Sequence, residues 1–359
     1  MYDLAIIGAG PAGATLARLV GERYRVLLAD KRPGSGDLNR APARKCCGGL
    51  LAPDAQRLLS QLGLGLPREG LVTPPICVVR AIDLPRHLSR YYQRFYLNID
   101  RAKFDAWLLS LTPPGVDVRP SCQLIAFSCR EGHFELTLKE NGKLRQEKTK
   151  VLVGADGAFS KVRRLAFPGH PAPSAYIAIQ EWVEAPEPLP YFSALFDPEI
   201  TDFYSWTIPK DRHLLIGAAL NHGDEVAGKF ILLKEKLKDY GYRFGETVRR
   251  EGAWVLRPRQ LREIITNGPR IALVGEAAGF ISPSSAEGLS YALASALMLA
   301  EVLNVSLQDF ERRYARKTLP LKLNILLKNL KAPFIYNSFL RGLIMKTGLD
   351  SLKIYQPPE

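Results

Sequence analysis

Cysteine, metal-binding patterns and long apolar runs are scarce in this sequence. Its 359 residues include five cysteines and no C-x-x-C pair, which argues against a disulfide framework and favours a reducing, cytoplasmic setting. The five histidines show no metal-ligand spacing, and neither H-E-x-x-H nor G-x-S-x-G occurs. We therefore expect no metal site and no serine hydrolase. No apolar run reaches the roughly 18 residues of a membrane-spanning helix.

Acidic residues are outnumbered by basic ones, 36 against 49, which gives a formal net charge of +13. Such a surface favours an anionic partner, for example a phosphate group, an acidic substrate, an anionic lipid or a nucleic acid. No recognised nucleic-acid module accompanies the charge, so we do not expect nucleic-acid binding. Hydrophobic residues make up 47% and charged residues 24%, values typical of a globular chain with one large or two modest domains.

The first thirty residues predict a strand–turn–helix unit that binds phosphate. An apolar strand, 1–7, leads into the glycine turn G-A-G-P-A-G at 8–13, and a helical segment, 14–20, follows. A second apolar strand, 24–30, ends in an aspartate. This order of elements is the context in which G-x-G-x-x-G indicates dinucleotide binding rather than an ordinary α/β turn.

Each position of the turn has a physical role in that interpretation. Gly8 permits the tight turn, Gly10 lets a pyrophosphate approach the backbone, and Gly13 allows the helix to pack closely on the strand. The helix N-terminus offers N–H groups to the phosphates. Asp30 is placed to accept hydrogen bonds from a ribose diol. The motif does not by itself distinguish FAD from NAD.

Two later segments bear on that choice. Residues 151–164 carry a strand that ends in G-A-D-G, and residues 271–300 carry a strand that ends in Gly275-Glu276, before a helix that starts near Glu287. Together with the opening turn, they resemble the DG and GD fingerprints of the glutathione-reductase-like single-FAD flavoproteins. The resemblance implies an α/β fold with a Rossmann-like FAD-binding domain. Glu276 stands where that family has aspartate, so its carboxylate lies one methylene further out.

Three further segments resemble the geranylgeranyl reductase family of FAD-dependent oxidoreductases. They are R-K-C-C-G-G-L-L at 44–51, N-I-D-R-A-K-F-D-A-W-L at 98–108 and Y-S-W-T-I-P-K at 204–210, in which isoleucine replaces the family's usual phenylalanine. The resemblance implies that the protein reduces C=C bonds of a polyprenyl lipid or quinone, using hydride from reduced FAD plus a proton. NAD(P)H or ferredoxin would supply the electrons.

The resemblance also implies which residues contact the cofactor and the substrate. The FAD-binding set is Gly8, Gly10, Pro11, Ala12, Gly13, Asp30, Lys31, Cys47, Gly48, Gly49, Arg101, Ala126, Asp156, Glu276, Gly288 and Leu289. Tyr204 and Trp206 would form an aromatic wall of the substrate site. Cys47 is the candidate catalytic residue, as a thiolate favoured by the neighbouring Arg44 and Lys45. A small residue buried in a tight glycine loop is the alternative for Cys47.

The same scaffold leaves two other functions open. One is a flavin monooxygenase that hydroxylates an apolar substrate. The other is a non-catalytic flavoprotein that binds a lipid or passes electrons to a partner. Product formed without oxygen would exclude the monooxygenase, whereas FAD binding without turnover of any lipid would favour the non-catalytic protein.

The predicted FAD-binding domain is discontinuous, and a second domain interrupts it. It comprises residues 1–65, 98–165 and 255–310. The inserts, 66–97 and 166–254, have strand-like runs with period-two patterns and predict an antiparallel substrate domain.

The remaining residues, 311–359, form a basic helical tail. From residue 310 to the end there are ten Lys and Arg against three acids, interleaved with apolar residues. A basic amphipathic helix is typical of an element that lies on an anionic membrane surface, which would place the protein peripherally at the inner membrane face. A helix packed over the substrate domain, with a solvated basic face, is the alternative.

Overall fold

The computed structural model describes residues 1–33, 46–187, 189–223 and 225–354. The strands are β1 (Tyr2–Ile7), β2 (Val26–Ala29), β3 (Leu50–Leu51), β4 (Ile76–Asp83), β5 (Leu88–Asn98), β6 (Asp117–Arg119), β7 (Cys122–Arg130), β8 (His133–Glu140), β9 (Lys143–Gly154), β10 (Ser174–Glu184), β11 (Phe192–Phe196), β12 (Ser205–Lys210), β13 (His213–Asn221), β14 (Thr247–Arg257), β15 (Asn267–Gly268) and β16 (Ile271–Leu273). The helices are α1 (Pro11–Val20), α2 (Pro53–Gln61), α3 (Arg101–Ser110), α4 (Lys161–Ala166), α5 (Val226–Asp239), α6 (Leu289–Leu303), α7 (Phe310–Lys317), α8 (Leu319–Tyr336) and α9 (Ser338–Thr347).

The first sheet has a parallel centre. Its strand order is β15-β16-β9-β1-β2-β6, and β7 and β8 join it through β9 as an antiparallel meander. The parallel register sets Ile7 beside both Ala29 and Gly154, and Gly154 beside Leu273. The turns after β1, β2, β9 and β16 therefore emerge together at the carboxyl edge of the sheet, where open α/β sheets bind their ligands.

Both faces of the parallel sheet are covered. Helices α1, α6 and α7 pack on one face, where Leu16, Leu299 and Phe310 join the core. The opposite face is covered by β7, β8 and Ile325 of α8. This burial on both sides explains why β2 reads Val-Leu-Leu-Ala, with all four residues buried and no polar alternation.

The second sheet has the strand order β14-β10-β13-β12-β11-β4-β5-β3, antiparallel except between β11 and β4. Helix α5 covers one face, where Phe230 and Leu233 are buried. Trp206 and Ile208 belong to a cluster on the other face. Strand β3 joins this sheet although it lies within a segment expected for the FAD-binding domain. The predicted fold class, a Rossmann-like domain with a second sheet and C-terminal helices, is confirmed.

The predicted tail helix is three helices, α7, α8 and α9, rather than one. Helix α8 packs on the body of the protein through Ile325, which is fully buried, and through Tyr336, whose hydroxyl donates to the Ser284 carbonyl at 2.8 Å. Helix α9 is held by Arg341, whose Nε donates to the Asp83 carboxylate at 2.9 Å. In the part of the chain that the structure describes, no helix could cross a membrane.

Candidate functional site

Three glycines shape the turn between β1 and α1. Gly8 has a φ of +104°, and a Cβ there would lie 2.4 Å from the carbonyl oxygen of Ala155. A Cβ on Gly13 would lie 1.8 Å from the Gly8 carbonyl oxygen. At Gly10, by contrast, nothing lies within 4 Å of the Cβ position. Gly8 and Gly13 therefore close the turn, and Gly10 leaves open space in front of the helix.

The first turn of α1 faces that open space. Gly10 is the N-cap, Pro11 is the first helical residue, and no side chain caps the helix. Proline suits this position because it has no N–H that needs a partner. The backbone N–H groups of the first turn carry the positive end of the helix dipole, so they form a site for an anion such as a pyrophosphate.

Asp30, which follows β2, lies beside the turn. Its carboxylate accepts hydrogen bonds from the backbone N–H of Ala9 at 2.6 Å and of Arg32 at 2.8 Å, and it pairs with the Arg32 guanidinium at 2.9 Å. Burial acts to raise the pKa of Asp30, but these bonds and the Arg32 charge outweigh it and hold the pKa below its usual value. Lys31, which lies between Asp30 and Arg32 in the sequence, is exposed. Arg32 was not predicted, although it adjoins two predicted residues.

The loop before β3 carries Cys47 between the two sheets. Arg101 Nη1 donates to Cys47 Sγ at 3.0 Å, and the same guanidinium pairs with Asp105 at 3.0 Å. Both residues of this ion pair are less than 10% exposed, at 9% and 6%. A guanidinium fixed in this way next to a thiol favours the thiolate. The expected neighbours Arg44 and Lys45 lie outside the described residues.

Lys210 supports the same loop from within the protein. Its Nζ donates to the carbonyl oxygens of Gly49 and Ile99, each at 3.1 Å, and to the side-chain oxygen of Asn98. The residue is 2% exposed, and burial lowers its pKa from 10.5 to about 7. Because Gly49 has a φ of +61° and its Cβ position lies 2.7 Å from Nζ, this loop requires glycine there.

Two carboxyl groups follow β9 and β16 at the carboxyl edge. Asp156 Oδ2 accepts from the backbone N–H of Lys161 at 2.6 Å, and its Oδ1 is buried without a hydrogen-bond partner among the described residues. Burial raises the pKa of Asp156. Glu276 Oε1 accepts from the Leu256 N–H at 3.2 Å. Asp156 also lines the cavity, so its carboxyl group is placed to accept a hydrogen bond from a donor on a bound molecule.

A second helix N-terminus reaches the same region. Gly288 is the N-cap of α6 and Leu289 is its first residue, again without a side-chain cap. Helix α6 has 15 residues, long enough for its dipole to favour negative charge at this end.

All these elements enclose one continuous cavity of about 1220 Å³. It is larger than most small-molecule sites, which range over roughly 300–1,000 Å³. The predicted cofactor residues that line it are Gly8, Gly10, Pro11, Ala12, Asp30, Lys31, Cys47, Gly48, Gly49, Arg101, Asp156, Glu276, Gly288 and Leu289. Gly13 lies behind the turn, consistent with its packing role.

Ala126 does not line the cavity. It is exposed on β7, and Gln123 and Leu124 of that strand form the cavity wall instead. The pairing of β7 with β8 is irregular between Leu124 and Ala126. A bulge at this point disturbs the alternation of side chains and backbone groups, so the segment near the cavity ends before Ala126.

Tyr204 and Trp206 line the far part of the cavity from the second sheet. Their rings lie 5.4 Å apart between centroids. The Tyr204 hydroxyl donates to the Ser285 carbonyl at 2.6 Å, which ties the sheet to the loop before α6. Trp206 lies so close to Gly217 that a Cβ there would be 2.4 Å from the indole Nε1. The predicted aromatic wall is therefore part of the same cavity as the phosphate turn.

Another group of polar side chains on the cavity wall was not predicted from the sequence, and Glu287 lies at its centre. Glu287 accepts a hydrogen bond from the Tyr96 hydroxyl at 2.6 Å and pairs with Arg94 at 3.3 Å. All three side chains line the cavity. Tyr96 and Glu287 are 191 residues apart, and no pattern in the sequence brings them together.

The arrangement provides two environments in one space. At the carboxyl edge, two helix N-termini and Arg32 suit phosphates, and Asp30 and Asp156 suit groups that donate hydrogen bonds. The second sheet adds apolar side chains such as Val79, Phe192 and Trp206, and also the polar Gln93, Arg94 and Gln180. Within the described ranges, no cluster of three or more histidine, cysteine or acidic side chains could hold a metal ion.

Relatives with curated names share most of this chain. It is 39% identical over 348 residues to Protein CbrA of Escherichia coli O9:H4 (strain HS), covering 97% of this chain and 94% of that protein. Protein CbrA of Shigella sonnei (strain Ss046) is also 39% identical, with 97% of each chain covered. No family model matches the sequence.

Solved structures share the fold at low sequence identity. A geranylgeranyl bacteriochlorophyll reductase-like protein from Thermoplasma acidophilum has a TM-score of 0.79 at 20% identity, covering 97% of this chain and 89% of that one. PqsL, a probable FAD-dependent monooxygenase from Pseudomonas aeruginosa, has a TM-score of 0.71 at 18% identity, covering 97% and 99%. The flavin-dependent brominase Bmp2, as a triple mutant, has a TM-score of 0.70 at 18% identity, covering 97% and 94%.

Proposed function

This chain belongs to the CbrA family, and from that premise we propose that it is an FAD-dependent oxidoreductase that reduces C=C bonds of a polyprenyl lipid or quinone. The family name states no reaction, so the proposal rests on the site. The observation that carries it is the continuity of the cavity, which joins the turn at Gly10 to an apolar chamber with an aromatic wall.

The residues at the carboxyl edge fit FAD. The open space at Gly10 accommodates a pyrophosphate against the N-terminus of α1. Asp30 would hold the adenosine ribose, Glu276 would hold the ribityl chain, and the Asp156 carboxyl group would accept a hydrogen bond from the cofactor. Gly48, Gly49, Gly288 and Leu289 line the space for the flavin ring. When bound, FAD supplies the hydride for the reaction.

The apolar chamber supports an apolar substrate. Its walls include the apolar Val79, Ala81, Phe192, Ala194, Phe196 and Trp206, with Gln93, Arg94 and Gln180 as polar members. A long hydrocarbon gains free energy by leaving water for such a surface, at roughly 25 cal/mol per Å² of buried apolar area. The chamber would also exclude water from the reacting double bond.

Cys47 lies where the two environments meet. Arg101 holds the thiol from one side and Asp105 fixes Arg101, so the Cys47 side chain has a defined position. We assign it the role of orienting the reacting group next to the flavin ring.

Reduction of an alkene also needs a proton for the second carbon. Tyr96 and Glu287 share a hydrogen bond of 2.6 Å on the cavity wall. Glu287 is two residues from Ser285, which accepts from Tyr204 in the aromatic wall. We assign this pair the role of holding and supplying that proton at the cavity wall, and bound FAD would supply the hydride for the other carbon. The sequence has one complete G-x-G-x-x-G turn, so NAD(P)H or ferredoxin would reduce the flavin from outside.

Incubation of chemically reduced, FAD-loaded protein with polyprenyl lipids and quinones under anaerobic conditions tests the proposal. Mass spectrometry should find a product heavier by two hydrogens. Tyr96→Phe and Glu287→Gln should each slow turnover at least tenfold with unchanged FAD content, and Tyr92→Phe, a change in another cavity tyrosine, is the matched control. A product that forms only with oxygen would identify a monooxygenase instead. Full FAD binding without any product from the panel would contradict catalysis of this kind.

A further inference from the structure

Exposed apolar side chains are concentrated near the C-terminus. The described residues include 23 exposed large hydrophobic side chains, and 12 of them lie between Leu319 and Ile354. This segment is about a tenth of the chain. Scattered exposed hydrophobic residues are ordinary, whereas a contiguous group marks an interaction surface.

On α8 these side chains occupy one side of the helix. At 100° per residue, the exposed residues fall within an arc of roughly 100°; they are Leu319, Leu323, Leu326, Leu327, Leu330 and Phe334. The opposite side packs on the protein through Ile325, Asn329 and Tyr336. Helix α9 adds Phe339, which is 73% exposed, and Leu343. We call the exposed apolar residues of α8 and α9 the docking face.

Along the sequence, the segment that carries the docking face has charge of one sign, although Arg341 and Lys317 pair with Asp83 and Glu301 from elsewhere in the chain. Residues 312–349 contain nine Lys and Arg and no acidic residue. By the same helical projection, Lys322 and Lys331 lie on the two flanks of the apolar arc of α8. Lysines in such positions can keep their ammonium groups in a headgroup layer while the apolar residues between them enter the acyl region.

The docking face is continuous with the mouth of the cavity. Phe334 and Ile344 are exposed, and both also line the cavity, as do their neighbours Ile335 and Met345. An apolar molecule held in a bilayer beneath this face could therefore enter the cavity without crossing water.

We propose that the docking face binds the surface of an anionic lipid bilayer, with the cavity mouth turned toward the lipid. The apolar arc supplies buried area and the flanking cations supply attraction to anionic headgroups. A second copy of this chain is a poor occupant, because symmetric pairing would bring the basic segments of both copies together. Binding to the bilayer does not depend on the proposed reaction. Only the use of the cavity mouth as a substrate entrance rests on the proposed function.

Co-sedimentation of the full-length, FAD-loaded protein with vesicles tests the proposal. The wild type should bind phosphatidylcholine vesicles that contain phosphatidylglycerol, and binding to pure phosphatidylcholine should be at least tenfold weaker. Leu327→Gln with Leu330→Gln should weaken binding to the anionic vesicles at least tenfold. These residues are 57% and 63% exposed, so their replacement leaves the core intact.

Matched variants elsewhere serve as controls. Leu144→Gln with Leu261→Gln changes two exposed leucines outside the face and should bind as the wild type does. Lys331→Gln with Lys346→Gln should weaken binding and flatten its salt dependence, whereas Lys139→Gln with Lys143→Gln should not.

Three results would overturn the proposal. They are no wild-type binding to anionic vesicles, equal losses in the leucine control, and a solution dimer that the Leu327→Gln/Leu330→Gln change dissociates. Turnover of a detergent-dispersed lipid separates this proposal from the proposed function. The docking variants should retain that turnover if the reaction is as proposed, and vesicle binding is measured whether or not a reaction occurs.

Discussion

Lys210 connects parts of the protein that lie far apart in the sequence. From the end of β12, its ammonium group holds the Cys47 loop through Gly49 and the end of β5 through Asn98. A charge in this position is costly because burial removes it from water. The three acceptors compensate only in part, as the lowered pKa indicates. The side chain thus fixes the loop at a cost in stability that depends on pH.

The first prediction concerns this pH dependence. Above pH 7 the folded chain holds Lys210 neutral, whereas the unfolded chain keeps it protonated up to about its ordinary pKa of 10.5. The unfolded state then binds more protons, so the free energy of unfolding rises with pH by at most about 1.4 kcal/mol per pH unit. In Lys210→Met this contribution is absent. Urea unfolding between pH 7 and 10 should therefore give a steeper rise for the wild type, and parallel curves would contradict the assignment.

Glu276 carries a second prediction at this scale. Replacement by Gln removes its charge and keeps an oxygen that can accept from the Leu256 N–H. If the carboxylate holds the ribityl chain, the change weakens FAD binding about tenfold, by the loss of one charge-assisted hydrogen bond. Fluorescence titration of FAD into the deflavinated protein measures this, with Glu69→Gln, an exposed site, as control. Unaltered affinity would mean that Glu276 does not bind the cofactor.

Among residues, those that act through the backbone were predictable and those that act through distant side chains were not. The roles of Gly8, Gly10 and Gly13 could be predicted, because the spacing of the glycines indicates which backbone conformation and which close approach each position requires. Arg32, Lys210 and the Tyr96–Glu287 pair acquire their roles from partners that only the fold supplies.

Among elements, the strongly patterned ones match the sequence interpretation. The predicted strand over 1–7 is β1, and the predicted helical segment over 14–20 lies within α1. The tail was expected as one helix because its apolar and basic residues recur at helical spacing. Two local signals divide it. Pro320, which cannot donate to the preceding turn, lies in the first turn of α8, and Asn337 separates α8 from α9.

The prediction for the secondary-structure elements concerns Asn337 and the start of α9. Its side-chain oxygen accepts from the backbone N–H groups of Phe339 and Leu340, both at 3.0 Å, and so caps α9. Asn337→Ala should lower the free energy of unfolding by about 1 kcal/mol, whereas Asn337→Ser should retain most of it. Urea unfolding measures both values. Equal stability of the alanine variant and the wild type would show that the cap contributes nothing.

At the scale of the whole molecule, the cavity lies between two sheets that the chain builds from interleaved segments. The phosphate turn belongs to the first sheet, the aromatic wall to the second, and the mouth to α8 and α9. The local pattern predicted the phosphate turn and the family resemblance implied the aromatic wall, whereas nothing in the sequence predicted the mouth. Their arrangement around one space depends on long-range pairings such as β11 with β4, which no local pattern specifies.

The central claim is that one FAD lies in this cavity with its pyrophosphate at Gly10. Gly10→Val fills the open space in front of α1, and Gly65→Val makes the same change at an exposed glycine that also has nothing within 4 Å of its Cβ position. Visible absorption of the purified proteins, after incubation with FAD, measures bound flavin. The account predicts one FAD per chain in the wild type and Gly65→Val, and loss of flavin from a folded Gly10→Val protein. A colourless wild type that cannot be reconstituted, or full flavin content in Gly10→Val, would contradict it.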